Sequence, residues 1–251
     1  MQLTRNEIAR FQEHGYLVLD GVIPPDLLAA MQTECDRNLD MQLADMDRAG
    51  AHTLGLTQRD RRYFLPDRYD ESTALTSLLF GPIIPAIARP LLGPDAYLFL
   101  DLFVVKAPRE GTPFAWHQDG GYVMGRPHRR YVTLWCALDD MTEANGTLRV
   151  LPYGRAPTRN VVPHVKDRAS NDLVGYAGDD MGDVVTVQKG GIVVLASDLF
   201  HCSGTNVTDA PRRVPLRCVG FSVPLCGRTL CAGRRTRSHL RDRGGRRAVS
   251  R

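Results

Sequence analysis

Trp116-His117-Gln118-Asp119 sets an imidazole and a carboxylate two residues apart. On an extended segment both side chains project from one face and can reach one metal ion. Alone, such a pair is as readily a chance juxtaposition or a surface salt bridge. Eighty-four residues after His117, Leu199-Phe200-His201 closes an apolar strand pattern that begins at Ile192. A lone histidine there would serve as well as a hydrogen-bonded core residue. Together, two histidines and one carboxylate from distant strands make a facial triad, which leaves three coordination positions of ferrous iron open, as oxygen activation requires.

Arg212 follows His201 by eleven residues, at the start of the next strand-like segment. In an antiparallel pair the returning chain comes back beside the first strand's end, where a guanidinium could grip a carboxylate bidentately near the metal. The neighbouring Arg213 is the competing candidate. Alternation along a strand sends it to the opposite face, which favours Arg212.

These residues need a scaffold of strands. The chain opens on Thr4-Arg5-Asn6-Glu7, a capping-box pattern, with Ile8, Phe11 and His14 about one turn apart, so a short amphipathic helix is predicted. Gly15 ends it, Tyr16 to Leu19 reads as a strand, and Pro24-Pro25 begins a second helix through Leu27, Leu28 and Met31. Residues 50–73 are polar and Arg-rich (Arg59, Arg61, Arg62, Arg68) without a clean period, and read as a long loop.

From Tyr97 onward, short runs rich in β-branched and aromatic residues recur: Tyr97–Val105, Tyr131–Leu138, Gly146–Leu151, Asp183–Val187, Gly191–Leu195 and Leu216–Val223. Gly120-Gly121, Asn145-Gly146 and Gly190-Gly191 punctuate them. Many short strands with turns and no intervening helices predict a mainly β fold, a double-stranded β-helix (jelly roll, cupin-like) barrel flanked by N-terminal helices. Residues 155–181 form a polar insert expected to overhang the barrel mouth. Asn145-Gly146 is read as a tight turn, since both residues tolerate positive φ, and Asn206 as a turn or strand-end residue.

The ordered combination resembles the phytanoyl-CoA dioxygenase-like branch of Fe(II)/2-oxoglutarate oxygenases. It comprises Phe11-x-x-x-Gly15-Tyr16-Leu17-Val18-Leu19, Trp116 to Tyr122, Asn145 to Pro152, and His201-Cys202-Ser203-Gly204-Thr205-Asn206 followed by Arg212, and extends to about Pro224. The resemblance implies a dioxygenase using Fe(II), 2-oxoglutarate and O2. His117, Asp119 and His201 would hold the iron, and Arg212 would bind the distal carboxylate of 2-oxoglutarate. It also implies that Gln118, Trp135 and Ser203 belong to the co-substrate pocket. Trp135 is equally readable as a core aromatic, and alternation turns Gln118 away from its neighbours, toward a supporting role. Lys106 could sit at the barrel rim or add positive charge near the co-substrate. In halogenating relatives a small residue replaces the carboxylate, so Asp119 points to hydroxylation, with desaturation, epoxidation or ring formation needing only another substrate pose.

Bulk properties bound these readings. The 251 residues are 43% hydrophobic and 24% charged, ordinary globular values that suit one domain over residues 1–225. Formal net charge is +4, but residues 226–251 hold nine Arg and one Asp, contributing +8, so the remainder carries −4. That tail reads as disordered and solvated, which removes the reason to invoke nucleic acid. Six scattered cysteines indicate neither a zinc site nor a disulfide framework, and fit a reducing, cytoplasmic setting. No unbroken run of 18 apolar residues argues for a membrane span. The expected partner is a small-molecule substrate, and the arginines at 59–68 and 126–130 suggest an anionic one.

Overall fold

A computed structural model describes residues 2–66, 71–94, 96–123, 128–221 and 228–229. Helix α1 (Arg5–His14) begins on the predicted capping box: the Glu7 amide donates to Thr4 Oγ1, and the Thr4 amide to the Glu7 carboxylate. Strand β1 (Tyr16–Leu19) and helix α2 (Pro25–Ala49) follow as read. Gly15 takes φ 82°, and a side chain there would meet the Tyr153 ring, so the turn between α1 and β1 requires glycine on both counts.

The segment 50–73 is not a bare loop. It contains β2 (Thr53–Leu54), β3 (Thr57–Gln58) and β4 (Arg62–Pro66), which extend the main sheet. β4 alternates weakly, and its inward polar residue, Arg62, is buried through long-range bonds that local pattern does not reveal. Helices α3 (Thr73–Phe80) and α4 (Ile83–Leu92) come next. Although Thr73–Leu92 is long and apolar enough to pass for a membrane span, it breaks near Gly81-Pro82 and sinks Leu75, Leu78, Leu79, Ile84 and Ile87 into the core.

The barrel strands are β5 (Ala96–Lys106), β6 (Phe114–His117), β7 (Tyr131–Cys136), β8 (Leu148–Leu151), then the small pair β9 (Val165–Lys166) and β10 (Leu173–Val174), then β11 (Asp183–Val184), β12 (Ile192–Ala196), β13 (Phe200–Ser203), β14 (Arg212–Phe221) and β15 (Arg228–Thr229). The larger sheet runs β1-β12-β7-β14-β5-β4-β3-β2, with β15 on β5, and the smaller runs β11-β8-β13-β6. All recorded pairings in both sheets are antiparallel, as in a jelly roll. One apolar core lies between the larger sheet and the helices, and a second around Trp135, Val150, Val193 and Leu199.

One strand boundary departs from expectation. Ile192–His201 is not one strand: β12 ends at Ala196, the Leu199 amide closes a turn onto the Ala196 carbonyl, and His201 lies on β13 in the other sheet. No glycine or proline marks that turn. β14 starts at Arg212, as the sequence places it, four residues ahead of the β-rich run from Leu216, and Ser222–Val223 lie outside the described residues. The expected disordered tail at 226–251 also lies outside them, apart from Arg228–Thr229.

Candidate metal centre

His117 ends β6, and His201 faces it across the β6–β13 pair, in direct register. Gln118 is extended (φ −116°, ψ 135°), which carries Asp119 to the same side as His117 before the chain enters a short 3-10 turn at Asp119–Tyr122. His117 Nε2 lies 3.7 Å and His201 Nε2 3.6 Å from Asp119 Oδ1, and one ligand atom from each residue falls within 4.8 Å of the others.

Both imidazoles are oriented by their other nitrogen. His117 Nδ1 is 2.7 Å from the Ala115 carbonyl and His201 Nδ1 is 3.1 Å from the Leu199 carbonyl. A carbonyl only accepts, so each Nδ1 carries the proton and each Nε2 presents a lone pair inward. Burial, reinforced by His117, pushes the His201 pKa down to about 4, so the ligating neutral ring persists at neutral pH. Burial alone would raise the Asp119 carboxyl. His201, His117 and the Thr133 hydroxyl outweigh it and hold the group well below the usual carboxylate range.

A cavity of about 310 Å³ opens beside the three residues and is also lined by Trp135, Ser203 and Arg212. Alternation separates the two arginines as predicted. Arg212 points inward and is 1% exposed, whereas Arg213 points outward to Asp139 (2.6 Å) and Asp36 (2.9 Å). The Arg212 guanidinium sits 5.6 Å from the Trp135 ring and donates to the Gly146 carbonyl at 3.1 Å. Its Nε and the Ser203 hydroxyl are buried without a hydrogen-bond partner, which marks both for a ligand's acceptor atoms. Burial lowers the Arg212 pKa to about 9 against the opposing pull of Asp139, which is itself bonded to Arg213.

Lys106 is level with Arg212 on the adjoining strand and, rather than lying at the rim, is fully buried with its ammonium on the Gly204 carbonyl. Arg62 continues the same row on β4, but it is matched by Asp172 at 2.6 Å.

Gln118 corrects its assignment to the co-substrate pocket. It is fully buried facing away from the cavity, donating to the Asn160 and Asp198 carbonyls at 3.0 and 2.7 Å and accepting from the Val162 amide at 2.9 Å. It therefore staples the 155–181 insert beside the metal ligands. From that insert His164 Nε2 accepts the Gln118 amide at 2.9 Å, and its ring lies so close to Gly121 that a Cβ there would approach it to 2.2 Å. Sequence reasoning missed His164, whose signal was only a histidine in a polar stretch. It also missed Thr133, although Tyr131, Thr133 and Trp135 share one strand face and all line the cavity.

The sequence profile of the family described as Phytanoyl-CoA dioxygenase (PhyH) matches residues 11–214. Curated relatives include phytanoyl-CoA dioxygenase domain-containing protein 1 of Danio rerio, 22% identical over 257 residues, with 84% of this chain and 88% of that protein covered. Ectoine dioxygenase of Nocardia farcinica is 25% identical over 224 residues, covering 82% and 74%. Among solved structures, EvdO2 from Micromonospora carbonacea var. aurantiaca complexed with 2-oxoglutarate is similar at a TM-score of 0.68 and 25% identity, covering 88% of this chain and 92% of that one. The epimerase SnoN, in complex with Fe3+, alpha ketoglutarate and nogalamycin RO, shares the fold at a TM-score of 0.67 and 21% identity, covering 86% and 82%.

Proposed function

This chain belongs to the phytanoyl-CoA dioxygenase family, and on that premise we propose that it is an Fe(II)- and 2-oxoglutarate-dependent oxygenase hydroxylating an unactivated C–H bond of a small molecule. The observation that carries the reading is one cavity holding both a three-ligand cluster with inward Nε2 atoms and a buried arginine whose Nε has no hydrogen-bond partner. His117, Asp119 and His201 are the proposed iron ligands, and Arg212 the partner of the distal 2-oxoglutarate carboxylate.

The residues present fit both groups. Two neutral nitrogens and one carboxylate suit ferrous iron and leave positions free for other ligands. The charges of Fe(II), Asp119, Arg212 and dianionic 2-oxoglutarate cancel among themselves, so the two groups together neutralise the charged residues that would hold them. Ser203 Oγ and Arg212 Nε gain the acceptors they lack. When bound, iron and 2-oxoglutarate supply oxidation by O2: one oxygen atom goes to succinate with loss of CO2, and the other is inserted into the substrate C–H bond.

The chain's own residues then have definite tasks. Ala115 and Leu199 carbonyls hold the imidazoles in the ligating tautomer, and Thr133 holds the second Asp119 oxygen. Trp135 lies against the Arg212 guanidinium and limits its directions. Gln118 and His164 keep the insert against the site, which limits water there.

Adding Fe(II) and 2-oxoglutarate anaerobically should produce a visible metal-to-ligand charge-transfer band. A folded, metal-loaded sample without the band refutes the reading and favours a jelly-roll binding domain without turnover. Product analysis then separates a hydroxylated product from desaturation, epoxidation or cyclisation.

A further inference from the structure

On β14 and β5 the inward residues form a series from the Arg212–Lys106 pair, through Leu216–Leu102, to Leu100. Six residues of extended chain from Lys106 to Leu100 span roughly 20 Å, so the cavity continues well beyond the arginine. At its far end β5 carries a bulge: Cys218 pairs with Leu100 and Val219 with Leu98, leaving Phe99 as the extra residue. Bulges re-aim side chains beside functional sites, and here both Phe99 and Leu100 line the cavity.

The mouth is apolar and open. Phe99, Leu100, Tyr122 and Val123 line it and are 38–48% exposed, an unusual set of large apolar side chains left toward water. Phe99 stands edge-on to Tyr131 at 4.9 Å, and the Tyr122 hydroxyl is already occupied by the Leu173 amide. Among the described lining residues, the acidic and basic side chains are the three metal-ligand candidates and Arg212. Of the arginines that suggested an anionic substrate, Arg59 is engaged with Asp47, Arg61 with Glu110, Arg62 with Asp172 and Arg130 with Asp198, while Arg129 is exposed and does not line the cavity. Arg68 and Arg126 lie outside the described residues.

Resting on the iron and 2-oxoglutarate reading of the deeper site, we propose that the substrate is an uncharged, predominantly hydrocarbon molecule, selected at the mouth by the bulged Phe99. A carboxylate, phosphate or ammonium group on the part entering the cavity would be desolvated against Phe99, Leu100 and Val123 without a partner.

A matched pair of fluorescent probes tests this: neutral N-phenyl-1-naphthylamine and its anionic analogue 8-anilinonaphthalene-1-sulfonate, titrated into the full chain with Mn(II) and 2-oxoglutarate. The neutral probe should bind saturably with one site, at least tenfold tighter than the sulfonate. Phe99→Asp should weaken it at least tenfold, with Phe99→Leu recovering to within about threefold. Val123→Asp, at a 48% exposed position, gives a second variant should Phe99→Asp fail to fold. Equal or tighter binding of the sulfonate, or indifference to the folded aspartate variants, overturns the proposal. Thermal stabilisation of the wild type by Mn(II) and 2-oxoglutarate is read separately. Its absence sinks the deeper reading, while failure of the probes with stabilisation intact sinks only this one.

Discussion

Replacing Arg212 by methionine should separate two quantities that usually fall together, co-substrate affinity and fold stability. Arg212 is 1% exposed and makes one hydrogen bond, to the Gly146 carbonyl, while its Nε has no partner. If it grips a carboxylate through two charge-assisted bonds worth about 1.5–3 kcal/mol each, its loss weakens 2-oxoglutarate by roughly a hundredfold to ten-thousandfold. The unliganded protein should behave oppositely. A buried cation without a close carboxylate pays a desolvation cost that an apolar chain of similar length does not, so the exchange should be neutral or stabilising.

Arg213→Ala is the control. Arg213 faces outward onto Asp139 and Asp36, so its loss should destabilise the fold by roughly 1 kcal/mol and change 2-oxoglutarate affinity by less than about threefold. Calorimetric titration of 2-oxoglutarate into the anaerobic Fe(II) protein, with urea unfolding of the unliganded variants, reads both quantities. Equal loss of affinity in the two variants would refute the assignment. A loss of more than about 2 kcal/mol of unliganded stability in Arg212→Met would refute the claim that its charge awaits a ligand.

Thr133→Val keeps the shape of a buried residue but removes the hydroxyl on Asp119, so Mn(II) affinity measured by equilibrium dialysis should fall about 10–100-fold. His201→Ala should abolish stoichiometric binding in the same assay. Gly146 has φ 73°, and a Cβ there would lie 2.3 Å from the Gly204 carbonyl oxygen. Gly146→Ala should therefore lose at least about 2 kcal/mol in urea unfolding and weaken 2-oxoglutarate, because its carbonyl holds Arg212. Gln118→Ala removes three bonds to backbone groups, and hydrogen exchange should accelerate first around Asn160–Val162. Because burial holds His201 well below an unfolded histidine, the unfolded chain takes up a proton that the folded protein refuses between about pH 6.5 and pH 4. Metal-free stability should fall across that window on acidification, and His201→Asn should remove this contribution to the slope.

Much of the site was legible locally because strand geometry is periodic. The two-residue spacing of His117 and Asp119 already implied a shared face, and alternation chose Arg212 over Arg213. The β-branched runs indicated a jelly roll, and the Thr4–Glu7 box fixed where α1 begins. The same rule turned Gln118 away from its neighbours, against its assignment to the co-substrate pocket, and the structure sided with the periodicity.

Tertiary structure alone decided the rest, where the controlling contacts are distant in sequence. The Ser197–Leu199 turn, which sends His201 to the opposite sheet, has no glycine or proline to announce it. Arg62 read as a solvated loop charge, yet it is buried because Asp172, 110 residues away, and backbone carbonyls meet it. Loop arginines suggested an anionic substrate, while the described lining of the mouth is apolar, since Arg59, Arg61, Arg62 and Arg130 meet carboxylates of other elements and the Phe99 bulge turns an extra ring inward. Periodicity reports which face of a strand a side chain occupies. What lies opposite that face depends on how distant strands pair, and that pairing determined the partners of Arg212, the placement of His164 and the character of the cavity.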